Sequence, residues 1–348
     1  MSASFAHNDA AGPQRPVRVA LDAAGGDRGP EELVHGALEA VQQPGVAVTL
    51  VGDQHAIAEA LGGRPLPEQV KIVHAPGVVG MDDDPVRAVR EKRDSSIVAA
   101  ARLVRAGEAD ALVSAGNTGA TMAAGLFHIG RVPGVDRPAI AIPMPTEDGF
   151  CFVVDGGANT EVRPEHLHGF AHMGAVYVRK VFGVDRPRVG LLNVGTEPSK
   201  GTKVTRDAYE LLKNDPAIHF VGNVEGNDVP AGAADVVVCD GFTGNVVLKF
   251  AEGVAATVFQ LLRRHVFTGA RGAMAGMLVR PGLRRVRGRL DYAEYGGAPL
   301  LGIKGAVIIA HGRSDRRAIR NAINAAALAV RHDVPGRIGA AMAARSEE

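Results

Sequence analysis

Short apolar runs alternate with longer amphipathic segments along most of this 348-residue chain, and this alternation limits the folds it can adopt. The runs are rich in Val, Ile and Leu without strict polar alternation, which is typical of strands buried on both faces of a parallel sheet. Strands are predicted at residues 17–23, 46–52, 71–75, 111–116, 139–144, 150–157, 189–195, 219–224 and 235–241. Helices are predicted between them, for example at 94–107 and 205–214. The pattern predicts an α/β fold, a doubly wound three-layer α/β/α sandwich.

The composition and the N-terminus exclude several classes of protein. Hydrophobic residues make up 46% and charged residues 22% of the chain, as in ordinary globular proteins. Lys and Arg (39) balance Asp and Glu (38), and a net charge of +1 argues against nucleic-acid binding. No signal peptide is visible, and the longest uncharged stretch, 111–130, is interrupted by glycines and polar residues, so no membrane span is predicted. Cys151 and Cys239 match no metal or disulfide pattern, so they are predicted to be core residues of a cytoplasmic protein.

A helical segment interrupts the α/β pattern near the C-terminus. Residues 1–16 are predicted to be a disordered extension, residues 17–335 a single α/β/α domain and residues 336–348 a C-terminal tail. Within the domain, residues 246–290 are predicted to project as a helical segment with a strong apolar face. Its stretch 263–289 carries eight arginines and no acidic residue. Three roles remain open for this stretch: a solvated face, contact with an anionic membrane surface, or docking of an acidic protein.

Four predicted strands end in loops rich in Gly, Asn and Thr. The loops are SAGNTGA (114–120), DGGANTE (155–161), NVGTEPSKG (193–201) and DGFTGN (240–245). Two of them belong to longer segments with a shared plan, GEADALVSAGNTG (107–119) and GAADVVVCDGFTGN (232–245). Because ligands bind at the carboxyl ends of strands in open parallel sheets, the four loops are predicted to form one composite site at one sheet edge.

These loops are suited to binding an anion. Glycines let backbone N–H groups approach a phosphate closely, and Lys200 adds a positive charge. Amide side chains can donate to a phosphate or an oxyanion without titrating, and the loops contain Asn117, Asn159, Asn193 and Asn245. A tight turn is the commoner role of a single Asn-Gly pair, so the amide roles remain hypotheses.

The standard nucleotide and hydrolase motifs are absent. The first strand is followed by DAAGGD (22–27) rather than a dinucleotide fingerprint, the glycine and lysine spacing in 195–203 is not that of a phosphate-binding loop, and Ser114 does not lie in a nucleophile elbow. No cofactor is therefore predicted.

Several acidic and histidine residues lie near these loops. Asp22 and Asp27 flank Gly25 and Gly26, and they could orient a lysine, cap a helix or hold a metal. The acidic run 82–84 is more typical of a helix start, because its side chains would diverge. Candidate acid or base groups near the motif loops are His166 and His311. No metal site is predicted.

Long segments of the chain resemble one family, the bacterial phosphate acyltransferases (PlsX). The segments are LDAAGGDRGP (21–30), DPVRAVREKRDSS (84–96), SAGNTGATMAAGLFHIGRVPGVDRPA (114–139), DGGAN (155–159), PEHL (164–167), VGLLNVGTEPSKG (189–201), ADVVVCDGFTGNVVLK (234–249), YGGAPLLGIKG (295–305) and AHGRSD (310–315). The matching segments follow in unbroken order from about Val17 to His332. Ala24 stands where the family commonly has Met, a change expected to affect packing more than chemistry.

The resemblance implies an enzyme that transfers a fatty acyl group from acyl-[acyl carrier protein] to inorganic phosphate, for phospholipid synthesis. It also implies an isopropylmalate-dehydrogenase-like or phosphotransacetylase-like sandwich, a homodimer, and peripheral association with an anionic membrane. A further candidate partner at the membrane is the membrane glycerol-3-phosphate acyltransferase, which would use the acyl-phosphate product. Lys200 and Asn245 are the implied catalytic residues. Predicted substrate-binding residues are Asn117, Thr118, Asn159, Asn193, Thr196, Gly25, Gly26 and Asp27.

Three rival functions remain open on the sequence. The nearest is an acetyl- or butyryl-CoA:phosphate acyltransferase, which the choice of acyl donor would distinguish. A NAD-dependent decarboxylating dehydrogenase would need a carboxylate metal set and a dinucleotide fingerprint. A non-catalytic anion-binding or membrane scaffold would bind phosphate without turnover.

Overall fold

One sheet of eleven strands runs through the protein, whose computed structural model describes residues 15–290 and 296–346. The strands are β1 (Val17–Asp22), β2 (Val46–Gly52), β3 (Val70–His74), β4 (Ala111–Ser114), β5 (Ala139–Pro145), β6 (Phe150–Val154), β7 (Arg188–Leu192), β8 (His219–Val224), β9 (Val236–Val238), β10 (Ala298–Leu301) and β11 (Ala306–Ile309). Their spatial order is β3-β2-β1-β4-β11-β10-β5-β6-β9-β7-β8. All nine predicted strands are present.

The sheet consists of two parallel halves. Pairing is parallel within the first half, β3-β2-β1-β4-β11, and within the second half, β6-β9-β7-β8. The pairs β11–β10, β10–β5 and β5–β6 are antiparallel, so the strands of the two halves run in opposite directions. The largely parallel sheet is confirmed, but the prediction that all four loops leave one sheet edge is wrong. The reason is the central antiparallel strands, among them the unpredicted hairpin β10–β11.

Helices cover both faces of the sheet. They are α1 (Pro30–Ala40), α2 (Gln54–Leu61), α3 (Pro85–Glu91), α4 (Ser96–Arg105), α5 (Thr118–Ala124), α6 (Pro164–Phe182), α7 (Lys203–Lys213), α8 (Asp228–Ala231), α9 (Gly241–Leu261), α10 (Gly269–Leu290), α11 (Arg316–Arg331) and α12 (Val334–Ser346). Two π-helical turns, Gly125–Ile129 and Leu262–Val266, extend α5 and α9. One apolar core lies beneath α1, α6, α7, α11 and α12, and the other beneath α4, α5 and the start of α9. This arrangement confirms the predicted three-layer sandwich.

Helices α9 and α10 occupy the segment that was predicted to project. Only Gly241 and Gly244 of α9 are buried, whereas Phe250 is 72% exposed. Among the described residues, one helix, Gly241–Val266, is long and apolar enough to cross a membrane by length and composition, with a mean hydropathy of 1.3. The first turns of this helix pack against the second core through Val247, Leu248 and Ala251, and its later apolar residues, such as Val254 and Val258, are exposed.

The C-terminus differs from the prediction of a tail at 336–348. Residues up to Ser346 belong to α12, and Ile338 and Met342 are buried against the rest of the core. These two side chains lie four residues apart, so they share one face of the helix. The predicted N-terminal extension falls almost entirely on residues 1–14, outside the described residues.

Candidate active site

Three adjacent strands of the first half end in what we call the first loop set, residues 22–29, 114–118 and 310–315. Strand register aligns their ends, because Leu21 pairs with Val113, and Ser114 with Ile309. Asp22 is buried here and accepts a 2.7 Å hydrogen bond from the Ser114 hydroxyl. Burial raises the pKa of Asp22, although hydrogen bonds such as those from the Ser114 hydroxyl and the Ala24 backbone N–H partly oppose the shift.

Glycine is required where the first two of these loops meet. A Cβ atom on Gly25 would lie 2.7 Å from the backbone nitrogen of Gly116. The next loop contact is made by Asp27, whose backbone N–H donates to Gly312 O at 2.7 Å. The side chain of Asp27 is exposed. The predicted residues Gly25, Gly26 and Asp27 therefore hold three loops together and leave one carboxylate facing solvent.

The Asn117 side chain has structural partners. Its Oδ1 accepts a hydrogen bond from the backbone N–H of Ala120 and so caps α5. Its Nδ2 donates to Gly80 O at 3.3 Å and to Met81 O at 3.1 Å. Both ends of this amide are engaged. Thr118, the first residue of α5, is exposed.

The second loop set comprises residues 155–161, 193–202 and 240–245, which follow β6, β7 and β9. The prediction of a loop over 240–245 is wrong in one respect, because Asp240 caps α9 and residues 241–245 already belong to this helix. Val238 of β9 pairs with Val154 on one side and with Leu191 on the other. Neighbouring strands lie about 4.8 Å apart, so the three loops begin side by side. Three of the four predicted loops are thus brought together.

Asp155 organises the first of these loops. Its buried carboxylate accepts five hydrogen bonds, from the backbone N–H groups of Ile140, Gly157, Ala158 and Asn159 and from the Asn159 side chain. Burial raises the pKa of Asp155, and these hydrogen bonds partly oppose the shift. Asn159 Nδ2 also donates to Pro138 O at 2.8 Å, so the amide of Asn159 positions the loop.

The DGFTGN segment packs the N-terminus of α9 against this loop. Asp240 caps the helix by accepting the backbone N–H of Thr243 at 2.8 Å. A Cβ atom on Gly244 would lie 1.9 Å from Asp155 O, so only glycine permits this contact. Asn245 follows and is exposed, and no hydrogen bond joins its side chain to another residue in the described part of the chain.

Two amides fix the loop that carries Lys200. Asn193 Nδ2 donates to Lys200 O at 3.2 Å, and Asn223 Nδ2 donates to Glu197 O at 2.8 Å. The Lys200 side chain is 49% exposed, and its Nζ lies 3.9 Å from a Glu197 carboxylate oxygen. Thr196 in the same loop is exposed. The loop backbone is therefore fixed, and the half-exposed Lys200 side chain lies beside Glu197.

A cavity of about 580 Å³ borders both halves of the protein. Its apolar lining includes Met122 and Leu126, which follow the first loop set, together with Leu300. Asn159 of the second loop set also lines it. The remaining lining residues are Arg131, Asp136, Arg137, Pro138, Ala158, Glu161, Val162, Arg163 and His166. The cavity thus combines an apolar wall with charged side chains.

The two candidate histidines are both held by local bonds. His166 Nδ1 accepts the Arg163 backbone N–H at 3.2 Å, and His311 Nδ1 accepts the Arg313 backbone N–H at 3.0 Å. Burial lowers the pKa of His311, and Lys249 on α9 lowers it further. Lys249 lies one helical turn after Asn245, so the first loop set is within electrostatic range of the helix that carries Asn245.

The cysteines are unsuited to nucleophilic catalysis. Both are free and buried. Burial raises the pKa of Cys151 to about 12 and raises that of Cys239 well above its ordinary value. Because the thiolate is the reactive form, neither side chain is activated.

The structure thus gathers Lys200, Thr196 and Asn245 in the second loop set and places Asn117 and Thr118 in the first. Their catalytic and binding roles stay predictions. Sequence reasoning missed Asn223 because it lies inside the predicted strand 219–224 and in none of the four loops. Asp155 lies within a predicted loop but was not selected, because its partner Ile140 is distant in sequence.

Comparison with known proteins gives the class of this α/β sandwich, which is that of the acyltransferases. Residues 17–337 match the family described as fatty acid synthesis protein, and the chain belongs to this family. The phosphate acyltransferase of Desulfitobacterium hafniense (strain DSM 10664 / DCB-2) is 50% identical over 311 residues, which cover 89% of this chain and 93% of that protein. The predicted family is therefore confirmed.

Solved structures agree with the fold. A phosphotransacetylase from Streptococcus pyogenes superposes with a TM-score of 0.61 at 17% identity, covering 90% of this chain and 94% of that one. A 4-hydroxythreonine-4-phosphate dehydrogenase from Klebsiella pneumoniae superposes with a TM-score of 0.50 at 14% identity, covering 90% of this chain and 98% of that one. At these identities the likeness concerns the fold alone.

Proposed function

We propose that this protein reversibly transfers a fatty acyl group from the thioester of acyl-[acyl carrier protein] to inorganic phosphate, giving acyl-phosphate for phospholipid synthesis. The observation that carries the proposal is the second loop set, which presents Lys200 and Asn245 to solvent on a rigid frame. The name of the D. hafniense relative supports phosphate as the acyl acceptor.

The reaction needs positioning and electrostatic stabilisation more than a protein nucleophile. A phosphate oxygen attacks the thioester carbonyl, a C–O bond forms, the C–S bond breaks, and the departing thiolate takes up a proton. We assign Lys200 to the negative charge of phosphate and of the tetrahedral oxyanion, and Asn245 to orientation by hydrogen bonding. Thr196, exposed in the same loop as Lys200, would add a hydroxyl donor. The protonated cysteines fit this direct displacement.

The cavity is suited to the acyl donor. Met122, Leu126 and Leu300 offer apolar surface to an acyl chain, and Arg131 and Arg137 offer positive charge to the phosphodiester arm of a carrier protein. Acyl carrier protein is strongly acidic, so the exposed Arg263, Arg264, Arg280 and Arg285 would offer it a second docking surface.

The exposed helices suggest the assembly of the enzyme. The apolar stripe of α9 suits a homodimer. Leu278 on α10 is 78% exposed among arginines, which suits the surface of an anionic membrane. The first turn of α9 packs against Asp155, so this helix begins inside the fold rather than as a free span. A cytoplasmic enzyme held at the membrane could pass its product to the membrane glycerol-3-phosphate acyltransferase.

The membrane contact is tested by vesicle flotation. Replacing Leu278 and Leu283 with Glu is expected to release the protein from anionic vesicles. Leu66→Glu, a change at an exposed leucine in the loop before β3, should leave binding intact. Retained binding of the double variant would contradict the membrane role.

The activity is tested by release of the carrier-protein thiol from palmitoyl-acyl carrier protein, with palmitoyl-CoA assayed in parallel. Release that requires phosphate and the carrier protein would establish the reaction and its donor. Release from the CoA ester alone would identify the alternative, an acyl-CoA:phosphate acyltransferase. No release from either donor would contradict the proposal.

A further inference from the structure

A cluster of His168, His172 and Asp215 lies on α6 and in the α7–β8 connection, in none of the loops that build the active site. The two histidines are four residues apart and therefore share one face of α6. His168 Nε2 and His172 Nε2 each lie 2.6 Å from the same carboxylate oxygen, Oδ2 of Asp215. The three side chains are 11%, 7% and 6% exposed. Three potential metal-binding atoms thus converge in a nearly closed site.

A second set of contacts orients the carboxylate. Asp215 Oδ1 accepts the backbone N–H of Ala217 at 2.8 Å, which directs Oδ2 toward the histidines. Such outer contacts orient the ligands of metal sites. Burial raises the pKa of Asp215, but hydrogen bonds from His168 and Ala217 hold it below its ordinary value. Burial lowers the pKa of both histidines. The carboxylate thus presents one oriented oxygen to both imidazoles, the arrangement that a shared metal ion would use.

We propose that His168, His172 and Asp215 bind one divalent transition-metal ion of the zinc type. Two imidazoles and one carboxylate form a three-ligand set that suits Zn²⁺ and leaves a fourth position for water. Ligand atoms of a tetrahedral ion with bonds of about 2.0 Å lie about 3.3 Å apart, so the ligands must separate by about 0.7 Å to admit it. On metal binding, the proton of each neutral imidazole would move from Nε2 to Nδ1, so the two imidazoles would release no proton.

One nearby charge opposes the cation. Arg345, in the last turn of α12, donates to Glu165 O at 3.2 Å and lowers the pKa of both histidines by its charge. Its guanidinium is expected to weaken binding without preventing it. The ion would bridge α6 to the segment that enters β8, and the site stands independently of the proposed acyl transfer.

The test uses the untagged full-length protein, freed of metal and then titrated with Zn²⁺. We expect one tightly held Zn²⁺ per chain by elemental analysis and a rise in melting temperature. His168→Gln and His172→Gln should each weaken Zn²⁺ binding at least tenfold. His55→Gln, a change at an exposed histidine on α2, should bind like the wild type. Arg345→Gln should tighten binding severalfold. No zinc on the wild type, or equal zinc on both cluster variants, would overturn the proposal.

Cobalt provides a measurement that does not depend on the folding of any variant. Co²⁺ bound to the wild-type protein in this site should give the intense visible absorption of a four- or five-coordinate ion, and Zn²⁺ should displace it. A spectrum of aqueous six-coordinate Co²⁺ would count against the site.

Discussion

The two halves of the sheet share a plan around their middle strands, β4 and β9. Asp110 precedes β4 and accepts the backbone N–H, Nε and Nη2 of Arg18 on β1. Asp235 precedes β9 and accepts the same three groups of Arg188 on β7. This is the structural form of the shared sequence plan at 107–119 and 232–245. Each middle strand then leads through a short connection into a helix, β4 into α5 and β9 into α9.

The halves differ in how they use their polar side chains. In the first, both ends of the Asn117 amide are engaged in capping and bridging bonds. In the second, Asn159 and Asn193 brace the loops, while Lys200 and Asn245 remain exposed. Amides that brace the loops can hold the exposed donors of the same loop set rigidly. This difference supports the assignment of catalysis to the second half.

Lys200→Ala is the largest expected effect. Turnover should fall about 100-fold or more, which corresponds to about 2.7 kcal/mol, because a preorganised charge is lost from phosphate and oxyanion. Lys203→Ala, three residues later and paired with Asp207 on the surface, should leave turnover unchanged. The assay is phosphate-dependent thiol release at saturating substrates. Unchanged turnover of Lys200→Ala would remove this residue from the mechanism.

The sequence was sufficient to predict most of the fold because buried strands carry continuous apolar runs. Strands β10 and β11 escaped prediction because each has four residues and glycines or Pro299 interrupt the pattern. The loops of the site were predictable from their glycine and amide content. The sequence did not indicate which side chains brace the loops and which stay exposed. The Asn223 amide and the Ile140 backbone N–H reach these loops only through tertiary contacts. The His168 cluster was missed for the same reason, since Asp215 lies 47 residues away.

Asp155→Asn is expected to lower the free energy of unfolding by about 2 kcal/mol. Its carboxylate accepts five hydrogen bonds, and an amide would turn one NH₂ group toward those donors. Asp22→Asn should cost less, about 1 kcal/mol, because Asp22 accepts from the Ser114 hydroxyl and the Ala24 N–H. Urea unfolding of both variants measures the difference. An equal or larger loss for Asp22→Asn would show that the two carboxylates do not differ as the hydrogen bonds indicate.

Asn245→Ala should lower turnover about tenfold, or about 1.4 kcal/mol, with little change in stability, because the side chain is exposed and makes no hydrogen bond within the described residues. Val246→Ala, at an exposed position next to it, is the matched control and should leave the rate unchanged. Steady-state kinetics with varied phosphate separates turnover from phosphate KM. A loss of stability without a loss of rate would place Asn245 among the bracing amides.

Asn117→Ala is expected to give the smallest effect of these variants. Its pattern should be the reverse of that for Asn245→Ala, with a loss of stability and little loss of turnover. Loss of the α5 cap should lower the free energy of unfolding by about 1 kcal/mol, while turnover falls less than tenfold. Asn117→Asp keeps the capping oxygen but loses the donor to Gly80 O and Met81 O, so it should recover part of the stability. Thermal unfolding and the thiol-release assay are run on both variants. If Asn117→Ala instead lost turnover as steeply as Asn245→Ala while keeping its stability, the first loop set would share the chemistry and the proposed division between the halves would not hold.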